Sequence, residues 1–391
     1  PPPHHVVDTD RAGRADRDRH DSSGERARTS SDDPTVHVWA MMGQMTRRNQ
    51  PGPTLEAIDL PGGDAFVAEL QRIWEDGNAA FPIDQRLPGP TKAELLAAMR
   101  VGDPVESGDA LVVATSGSTG APKGVVLTHD AVAASAGATN ARLGVADDDH
   151  WLACLPLSHV GGLSVVTRSL HAGTRLTVHP SFDADAAMAS GATLVSLVAT
   201  ALARIEAPAF RTIVLGGGRP PADRPANTLT TYGMTETGSG VVYDGRALGG
   251  VEVRIDDGGE IHLRGPMLLR CYRDGSDPKD AEGWLATGDL GTWLTDGRLH
   301  VSGRRGDLII TGGENVWPEA VEAALADHPG VADVMVRGVD DPEWGQLVEA
   351  VIVPLGDPPT LEALRAHVKQ RHPAFMAPKA LIIVESLPRT T

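Results

Sequence analysis

Thr115-Ser116-Gly117-Ser118-Thr119-Gly120-Ala121-Pro122-Lys123-Gly124 is the most informative stretch of this sequence, and it directly follows an apolar run at positions 110–114. Its glycines let the backbone curl so that amide N–H groups face inward, while its hydroxyls add donors and its lysine adds a positive charge. These features are typical of a loop that binds a polyphosphate. The stretch is not a Walker loop, because Pro122 precedes the lysine and Gly124 follows it. The alternative is a flexible Gly/Ser turn between two strands.

Three further motifs follow along the chain. They are Thr231-Tyr232-Gly233-Met234-Thr235-Glu236-Thr237, GWLATGDL at 283–290 and GRRGDLIITGGEN at 303–315. Together with the first stretch, and in this order, they resemble the adenylate-forming superfamily, which includes acyl-CoA ligases, luciferases and the adenylation domains of peptide synthetases. The resemblance covers roughly residues 90–391. It implies a reaction that joins a carboxylate to the α-phosphate of ATP with loss of pyrophosphate.

The spacing of apolar residues predicts an α/β fold with a large N-terminal domain. Short apolar runs at 110–114, 151–155, 174–178, 194–198 and 212–215 alternate with helical stretches, which indicates mostly parallel βα layers. Residues 249–301 alternate apolar and polar side chains and predict a small antiparallel β subdomain. The patterns beyond position 306 predict a small α+β domain, and the resemblance implies that this C-terminal domain is mobile.

We therefore expect a disordered leader at 1–50, an N-terminal adenylate-forming domain at 51–303, a hinge at 304–306 and a C-terminal domain at 307–391. The leader has too few apolar residues to offset the entropy lost on ordering. At the other end, Pro388-Arg389-Thr390-Thr391 matches the start of a family motif whose lysine bridges the acyl carboxylate and the α-phosphate. That lysine would lie beyond the last residue, so we expect weak adenylation unless the natural protein continues.

Composition argues for a globular enzyme rather than a membrane protein. The 391 residues are 41% hydrophobic, and no apolar run approaches the ~20 residues that a membrane-spanning helix needs. The N-terminus lacks the apolar core of a secretory signal, so a cytoplasmic protein is expected. Cys154 and Cys271 are far apart in sequence, and we interpret both as free thiols.

The formal net charge of −17 argues against nucleic-acid binding, since an acidic surface repels phosphate. A bound nucleotide must therefore meet a locally positive region. Lys123, Arg168, Arg304 and Arg305 lie in or near the motifs and add positive charge there. We expect Mg²⁺ to contribute as well.

The resemblance implies how ATP is bound. Glu236 would hold Mg²⁺, and Asp289 would accept both ribose hydroxyls, because a carboxylate offers two acceptor oxygens. Arg304 would contact the ribose or a phosphate. The residues implied at the phosphates are Thr115, Ser116, Gly117, Ser118, Thr119, Gly120 and Lys123. Those implied at the adenine are Tyr232, Gly233 and the glycine turn Gly216, Gly217 and Gly218.

The same resemblance implies His159, Thr235 and Glu236 as catalytic residues. His159 matches an aromatic or histidine gate beside the acyl carboxylate, and a structural histidine is the alternative. Ser158 and His159 are expected to contact the acid together with Arg168. If the acid carries a second carboxylate, Arg168 is the candidate cation that binds it. The alternative is that Arg168 caps a helix or faces solvent.

Two glycine positions relate to the acceptor and to domain motion. Gly306 lies where relatives have the hinge, and glycine tolerates a large change in φ and ψ. Gly312 and Gly313 resemble the segment that lines the pantetheine tunnel, which implies coenzyme A as co-substrate.

Residues 165–170 and 241–245 resemble one branch of the superfamily, the o-succinylbenzoate-CoA ligases of menaquinone biosynthesis, especially the short actinobacterial type. That branch implies an acid-thiol ligase that uses ATP, Mg²⁺, CoA and a small-molecule carboxylic acid, with a homodimer left open. Two alternatives also stay open. One is a CoA ligase for another aryl or fatty acid, and the other is a nucleotide-binding module with little adenylation activity.

Overall fold

The computed structural model describes residues 52–115, 122–218, 220–221 and 223–387. The predicted leader at 1–50, the loop residues Ser116, Gly117, Ser118, Thr119 and Gly120, and the motif at 388–391 lie outside the described residues. The helices are α1 (Asp64–Glu75), α2 (Gly89–Ala98), α3 (His129–Leu143), α4 (Val160–Ala172), α5 (Ala184–Ala189), α6 (Ala199–Leu202), α7 (Pro318–Ala326) and α8 (Leu361–Lys369). None of these helices combines the length and apolar character needed to span a lipid bilayer.

The strands are β1 (Leu55–Ile58), β2 (Ala79–Pro82), β3 (Asp109–Thr115), β4 (Lys123–Thr128), β5 (His150–Ala153), β6 (Arg175–Val178), β7 (Leu194–Leu197), β8 (Thr212–Leu215), β9 (Thr228–Met234), β10 (Ser239–Tyr243), β11 (Arg246–Ala247), β12 (Glu252–Ile255), β13 (Glu260–Arg264), β14 (Cys271–Tyr272), β15 (Leu285–Trp293), β16 (Leu299–Arg304), β17 (Ile309–Thr311), β18 (Glu314–Val316), β19 (Val331–Asp341), β20 (Gly345–Pro354) and β21 (Ala380–Ile383).

The strands on either side of residues 116–121 pair antiparallel, with Thr115 opposite Lys123. They belong to a sheet in the order β1-β2-β3-β4-β14, in which β1, β2 and β3 are parallel and β14 lies antiparallel to β4. The apolar run at 110–114 is therefore a buried strand, as predicted. The antiparallel partner β4 was not predicted by the βα pattern.

A second sheet carries the predicted glycine turn and the motif that contains Glu236 at one edge. Its order is β11-β10-β9-β8-β7-β5-β6, with β6, β5, β7, β8 and β9 parallel, as the sequence predicted. The turn Gly216-Gly217-Gly218 follows β8, and Thr235 and Glu236 follow β9. Because β8 and β9 are neighbouring parallel strands, both segments lie at the same carboxyl edge, where α/β sheets usually bind ligands.

The predicted β subdomain is confirmed as an antiparallel sheet in the order β12-β13-β15-β16. Its buried and exposed residues alternate along β13 and along much of β15, which explains the period of two seen in the sequence. In this sheet Asp289 on β15 lies directly opposite Arg304 on β16. Two residues that are separate in sequence are thus neighbours through strand register.

The C-terminal residues form an α+β layer with its own hydrophobic core. Its sheet has the order β18-β17-β20-β19, and β21 pairs parallel with β20. Helices α7 and α8 bury Val321, Leu325, Leu364 and Val368 against this sheet. This arrangement confirms the predicted fold of residues beyond 306.

Local sequence explains the limits of α3. Thr128 is its N-cap, and its Oγ1 accepts the N–H of Ala131 at 3.1 Å. The helix ends at Gly144, whose φ of 58° lies in the left-handed region that glycine adopts without strain. The sequence predicts a cap at Thr128 or Asp130 for an alanine-rich helix that extends through Thr139. The structure confirms the cap at Thr128, and the helix runs further, to Leu143.

Candidate active site

An open cleft of about 1090 Å³ lies between the two large sheets, the β subdomain and the start of α7. Its wall includes Trp317, Glu319 and Ala320 from the C-terminal part of the chain. The predicted site residues that line it are Thr115, Lys123, Gly217, Gly218, Tyr232, Gly233, Thr235, Glu236, Asp289 and Arg304. Residues from all four sequence motifs therefore meet at one cleft.

Glu236 lies at the wall of the cleft in a short 3₁₀ turn, Thr235–Thr237. The buried Thr237 holds this turn in place, because its Oγ1 accepts the N–H of Met234 at 2.9 Å and donates to the carbonyl of Ser239 at 2.6 Å. The Glu236 carboxylate accepts a hydrogen bond from the Tyr272 hydroxyl at 2.9 Å. A carboxylate oxygen in this setting is a suitable ligand for a hard divalent cation.

Asp289 also lines the cleft and is 6% exposed. The Tyr232 hydroxyl donates to its Oδ2 at 2.8 Å, and Arg304 Nε lies 3.1 Å from its Oδ1. Burial raises the pKa of Asp289, although the Tyr232 hydrogen bond and the Arg304 charge act in the other direction. Burial, followed by the Asp289 charge, raises the pKa of Tyr232, so its hydroxyl stays protonated and can donate. Each oxygen of Asp289 has a second lone pair that can accept a ligand hydroxyl.

We expect Asp289 to make the free energy of unfolding fall as the pH rises. Because its pKa is raised in the folded chain, the folded state binds more protons than the unfolded state between the two pKa values. The natural chain should therefore lose stability relative to Asp289→Asn as the pH rises from about 4 through the raised pKa. Urea unfolding of both proteins over that range measures this difference. A stability difference that does not change with pH would contradict the expectation.

The predicted glycine turn follows β8 and approaches its neighbours closely. Gly217 has a φ of 79°, which is strained for other residues, and it lines the cleft beside Gly218. A Cβ added to Gly216 would lie 2.8 Å from Thr231 Oγ1. Gly233 on β9 faces the backbone of Ser239 on β10 so closely that a side chain there would separate the two strands. These glycines keep side chains out of this end of the cleft.

His159 and Ser158 lie outside the lining of this cleft. His159 is the residue before α4, and its Nε2 is 4.0 Å from Asp84 Oδ2. Although 47% of its side chain is exposed, partial burial lowers the pKa of His159, while Asp84 raises it and Arg86 lowers it further. Ser158 Oγ is buried, without a hydrogen-bond partner among the described residues. The roles of both residues at the acid stay predictions.

Arg168 is 2% exposed and lies inside the large domain, not in the lining of the cleft. The alternative that it caps a helix or faces solvent is wrong, because α4 buries this face against β5 and β10. Its guanidinium donates to Ser196 Oγ at 3.3 Å, to Ser239 Oγ and to the Tyr243 hydroxyl at 3.4 Å. Its Nε has no partner, and within the described residues the guanidinium forms no ion pair with a carboxylate.

Gly306 lies in a 3₁₀ turn, Arg305–Asp307, and its backbone does not adopt a positive φ. Open space surrounds its Cα, so a side chain would fit here in this conformation. Gly312 and Gly313 form the two-residue turn between β17 and β18, with φ of 61° and 83°. A Cβ on Gly312 would lie 2.8 Å from the Trp344 ring. None of these three glycines lines the cleft, so the hinge and the CoA tunnel stay predictions.

Sequence reasoning missed the partners of the charged site residues, and the tyrosines were the signal that could have found them. The chain has 3 tyrosines. The hydroxyl of each one is hydrogen-bonded to a charged side chain that the sequence had predicted for the site. Tyr232 bonds to Asp289, Tyr243 to Arg168 and Tyr272 to Glu236. Ser196 and Ser239 are the other missed residues, and they carry no comparable signal.

Comparison with known proteins matches both parts of the chain. The AMP-binding enzyme family matches residues 69–273, and the AMP-binding enzyme C-terminal domain matches residues 320–391. A probable 2-succinylbenzoate–CoA ligase of Mycobacterium tuberculosis is 41% identical over 372 residues, which cover 86% of this chain and 94% of that protein. A 2-succinylbenzoate–CoA ligase of Bacillus anthracis is 36% identical over 71% of this chain and 66% of its own length.

A similar solved structure is the o-succinylbenzoate CoA synthetase of Bacillus subtilis in complex with its acyl-adenylate intermediate. It superposes with a TM-score of 0.79 at 27% identity and covers 91% of this chain and 87% of that chain. The same Bacillus subtilis enzyme with ATP and a magnesium ion gives a TM-score of 0.78 over 91% of this chain and 89% of that chain, also at 27% identity. On its motifs, its fold and these matches, the chain belongs to the AMP-binding enzyme family, the adenylate-forming superfamily.

Proposed function

We propose that this chain is a 2-succinylbenzoate–CoA ligase, which activates the acid as an acyl-adenylate and then transfers the acyl group to CoA. The observation that carries the proposal is the convergence of Lys123, Glu236 and Asp289 on one cleft. We infer the identity of the substrate from the relatives, because the proteins of 41% and 36% identity are named for this activity. We place the reaction in the cytoplasm, where ATP and CoA are available, as a step of menaquinone biosynthesis.

The residues around the cleft fit a magnesium-bound nucleotide. Glu236 would hold Mg²⁺, since its carboxylate lines the cleft and keeps lone pairs that the Tyr272 hydroxyl does not use. Mg²⁺ would supply positive charge next to the phosphates. Asp289 would accept the ribose hydroxyls, and the glycine turn at 216–218 would leave room for the base.

The main barrier to the first half-reaction is electrostatic, because the acid carboxylate must approach the α-phosphate. Two like charges about 4 Å apart repel by about 4 kcal/mol at an effective dielectric constant of about 20. Lys123 and Arg304, which both line the cleft, would offset part of this repulsion with their positive charge. Binding both anions in one cleft also makes their encounter intramolecular.

Arg168 supports an acid with two carboxylates as the substrate. In the described part of the chain the buried guanidinium has no carboxylate partner, which is costly, and three hydroxyls and the face of the Trp151 ring, whose centroid is 5.6 Å away, compensate its charge only partly. The ring carboxylate of 2-succinylbenzoate would supply the missing negative charge. Ser164, one turn before Arg168 on α4, also has an unpartnered buried hydroxyl and lines a cavity of about 10 Å³. Side chains around this cavity must move to admit an aromatic acid.

The proposal is tested by mixing the protein with ATP, Mg²⁺ and 2-succinylbenzoate and measuring pyrophosphate release, then adding CoA and weighing the thioester by mass spectrometry. The matched control acid is 4-oxo-4-phenylbutanoate, which has the succinyl group but lacks the ring carboxylate. Thioester from 2-succinylbenzoate with little from the control supports the assignment. Preference for a fatty acid or for the control acid would change the substrate, and ATP binding without turnover of any acid would leave a nucleotide-binding module.

A further inference from the structure

One aromatic side chain contacts both a cation and an anion of the cleft. The Tyr272 hydroxyl donates to Glu236 Oε1 at 2.9 Å, and Lys123 Nζ lies over the Tyr272 ring, 4.9 Å from its centroid. All three residues line the cleft. Tyr272 therefore lies between the lysine at the end of the phosphate loop and the carboxylate expected to hold the metal.

The position of Tyr272 is set by backbone pairing and by a partly buried ion pair. Strand β14 pairs with β4, so that Tyr272 lies opposite Val125, two residues beyond Lys123. Arg270, which lies two residues before Tyr272, donates two hydrogen bonds to the buried Asp109 at 2.8 and 2.9 Å. These contacts tie the tyrosine to both strands of the hairpin that carries the loop, so the ring is positioned before any ligand binds.

The contacts of Tyr272 have an electrostatic consequence. A lysine and a glutamate that reach the same cleft attract each other, and a direct ion pair between them would have to break before phosphate and metal could bind. Within the described residues Lys123 forms no ion pair with Glu236, and its ammonium lies over the face of the Tyr272 ring instead. A ring face attracts a cation without cancelling its charge.

We propose that Tyr272 is a positioning residue that separates and orients Lys123 and Glu236, so that the ammonium stays available to phosphate oxygens and the carboxylate to Mg²⁺. This inference rests on the nucleotide site of the proposed function. It adds to that site a residue whose ring positions Lys123 and whose hydroxyl orients Glu236. The two tasks can be separated by substitution.

Tyr272→Phe keeps the ring under Lys123 and removes only the hydrogen bond to Glu236. We expect its affinity for ATP in EDTA to stay within about twofold of the natural chain, while its affinity for ATP with Mg²⁺ falls about tenfold, as for loss of one hydrogen bond to a charged group. Tyr272→Leu removes both contacts and lets Lys123 pair with Glu236. We expect this variant to lose about tenfold or more in both conditions.

Titration calorimetry of ATP into the full chain, once with Mg²⁺ and once with EDTA, measures these affinities. Thr193→Val is the matched control, because it also removes a hydroxyl that donates to a carboxylate, that of Asp149 at 2.7 Å, but does so outside the lining of the cleft, and its MgATP affinity should stay within about twofold. Thermal melting identifies a variant that does not fold. If Tyr272→Leu is such a variant, Tyr272→Phe alone decides.

The outcomes separate this inference from the proposed function. A natural chain that binds no ATP in either condition would overturn the proposed function itself. Normal MgATP binding by the natural chain together with unchanged binding by Tyr272→Phe would overturn only the positioning role. Equal losses by Tyr272→Phe with and without Mg²⁺ would overturn it as well, because a general structural defect does not distinguish the metal.

Discussion

Glu236→Gln should lower kcat/KM for MgATP by about 10²- to 10³-fold while the protein stays folded. The amide has nearly the shape of the carboxylate and can still accept the Tyr272 hydrogen bond, so the turn at Thr235–Thr237 should persist. What is lost is the negative charge that would bind Mg²⁺. Steady-state rates of pyrophosphate release over a range of Mg²⁺ concentrations measure the effect, and high Mg²⁺ should restore part of the rate.

The matched control for this substitution is Glu252→Gln. Glu252 is an exposed carboxylate on β12 whose partner is Arg264 at 2.6 Å, and it does not line the cleft. Its loss should leave kcat/KM within about twofold, since exposed ion pairs contribute little. Equal rates for Glu236→Gln and the natural chain would remove Glu236 from the metal site.

Arg168→Ala should raise KM for 2-succinylbenzoate by about 10- to 100-fold and leave KM for ATP within about twofold. The range follows from about 1.5 to 3 kcal/mol for a hydrogen bond to a charged partner. Arg168→Lys keeps the positive charge but loses the planar fork, so it should recover only part of the loss. Initial rates with one substrate varied at a time measure both constants.

A buried arginine also contributes to stability, and the control must account for this. Arg211 is a second arginine of the large domain, paired with the buried Asp149 at 2.6 Å and absent from the lining of the cleft. Arg211→Ala should lower the melting temperature without changing KM for the acid. If Arg168→Ala behaves in the same way, Arg168 is a structural residue and the ring carboxylate binds elsewhere. A selective loss with 2-succinylbenzoate, absent with 4-oxo-4-phenylbutanoate, would place that carboxylate at Arg168.

Sequence patterns predicted the elements whose cause is local. The N-cap at Thr128, the strand before the phosphate loop and the period of two in the β subdomain follow from side chains near in sequence, and the structure has all three. The family motifs implied one nucleotide site for Lys123, Glu236 and Asp289, and these three residues line one cleft. Order along the chain and residue type were sufficient for these features.

The partners of the charged groups could not be predicted in this way. Tyr272 is 36 residues from Glu236 in sequence, and Tyr243 is 75 residues from Arg168. Each pair meets because the fold brings a strand against a distant element, a 3₁₀ turn for Glu236 and helix α4 for Arg168. No periodicity in the sequence records such a meeting. For the same reason the sequence left Arg168 open between solvent, a helix cap and a binding pocket, and only the packing of α4 shows that it is buried.

The sequence by itself determined the chemistry available to this protein: a glycine and hydroxyl loop with one lysine, an acid after a β-strand, and a second acid beside an arginine, all in the order of one family. The tertiary structure alone decided which charges are buried, which are paired and which stay free to meet a ligand. The physical reason is that the electrostatic state of a side chain depends on the solvent it loses and the partners it gains, and both come from residues distant in sequence.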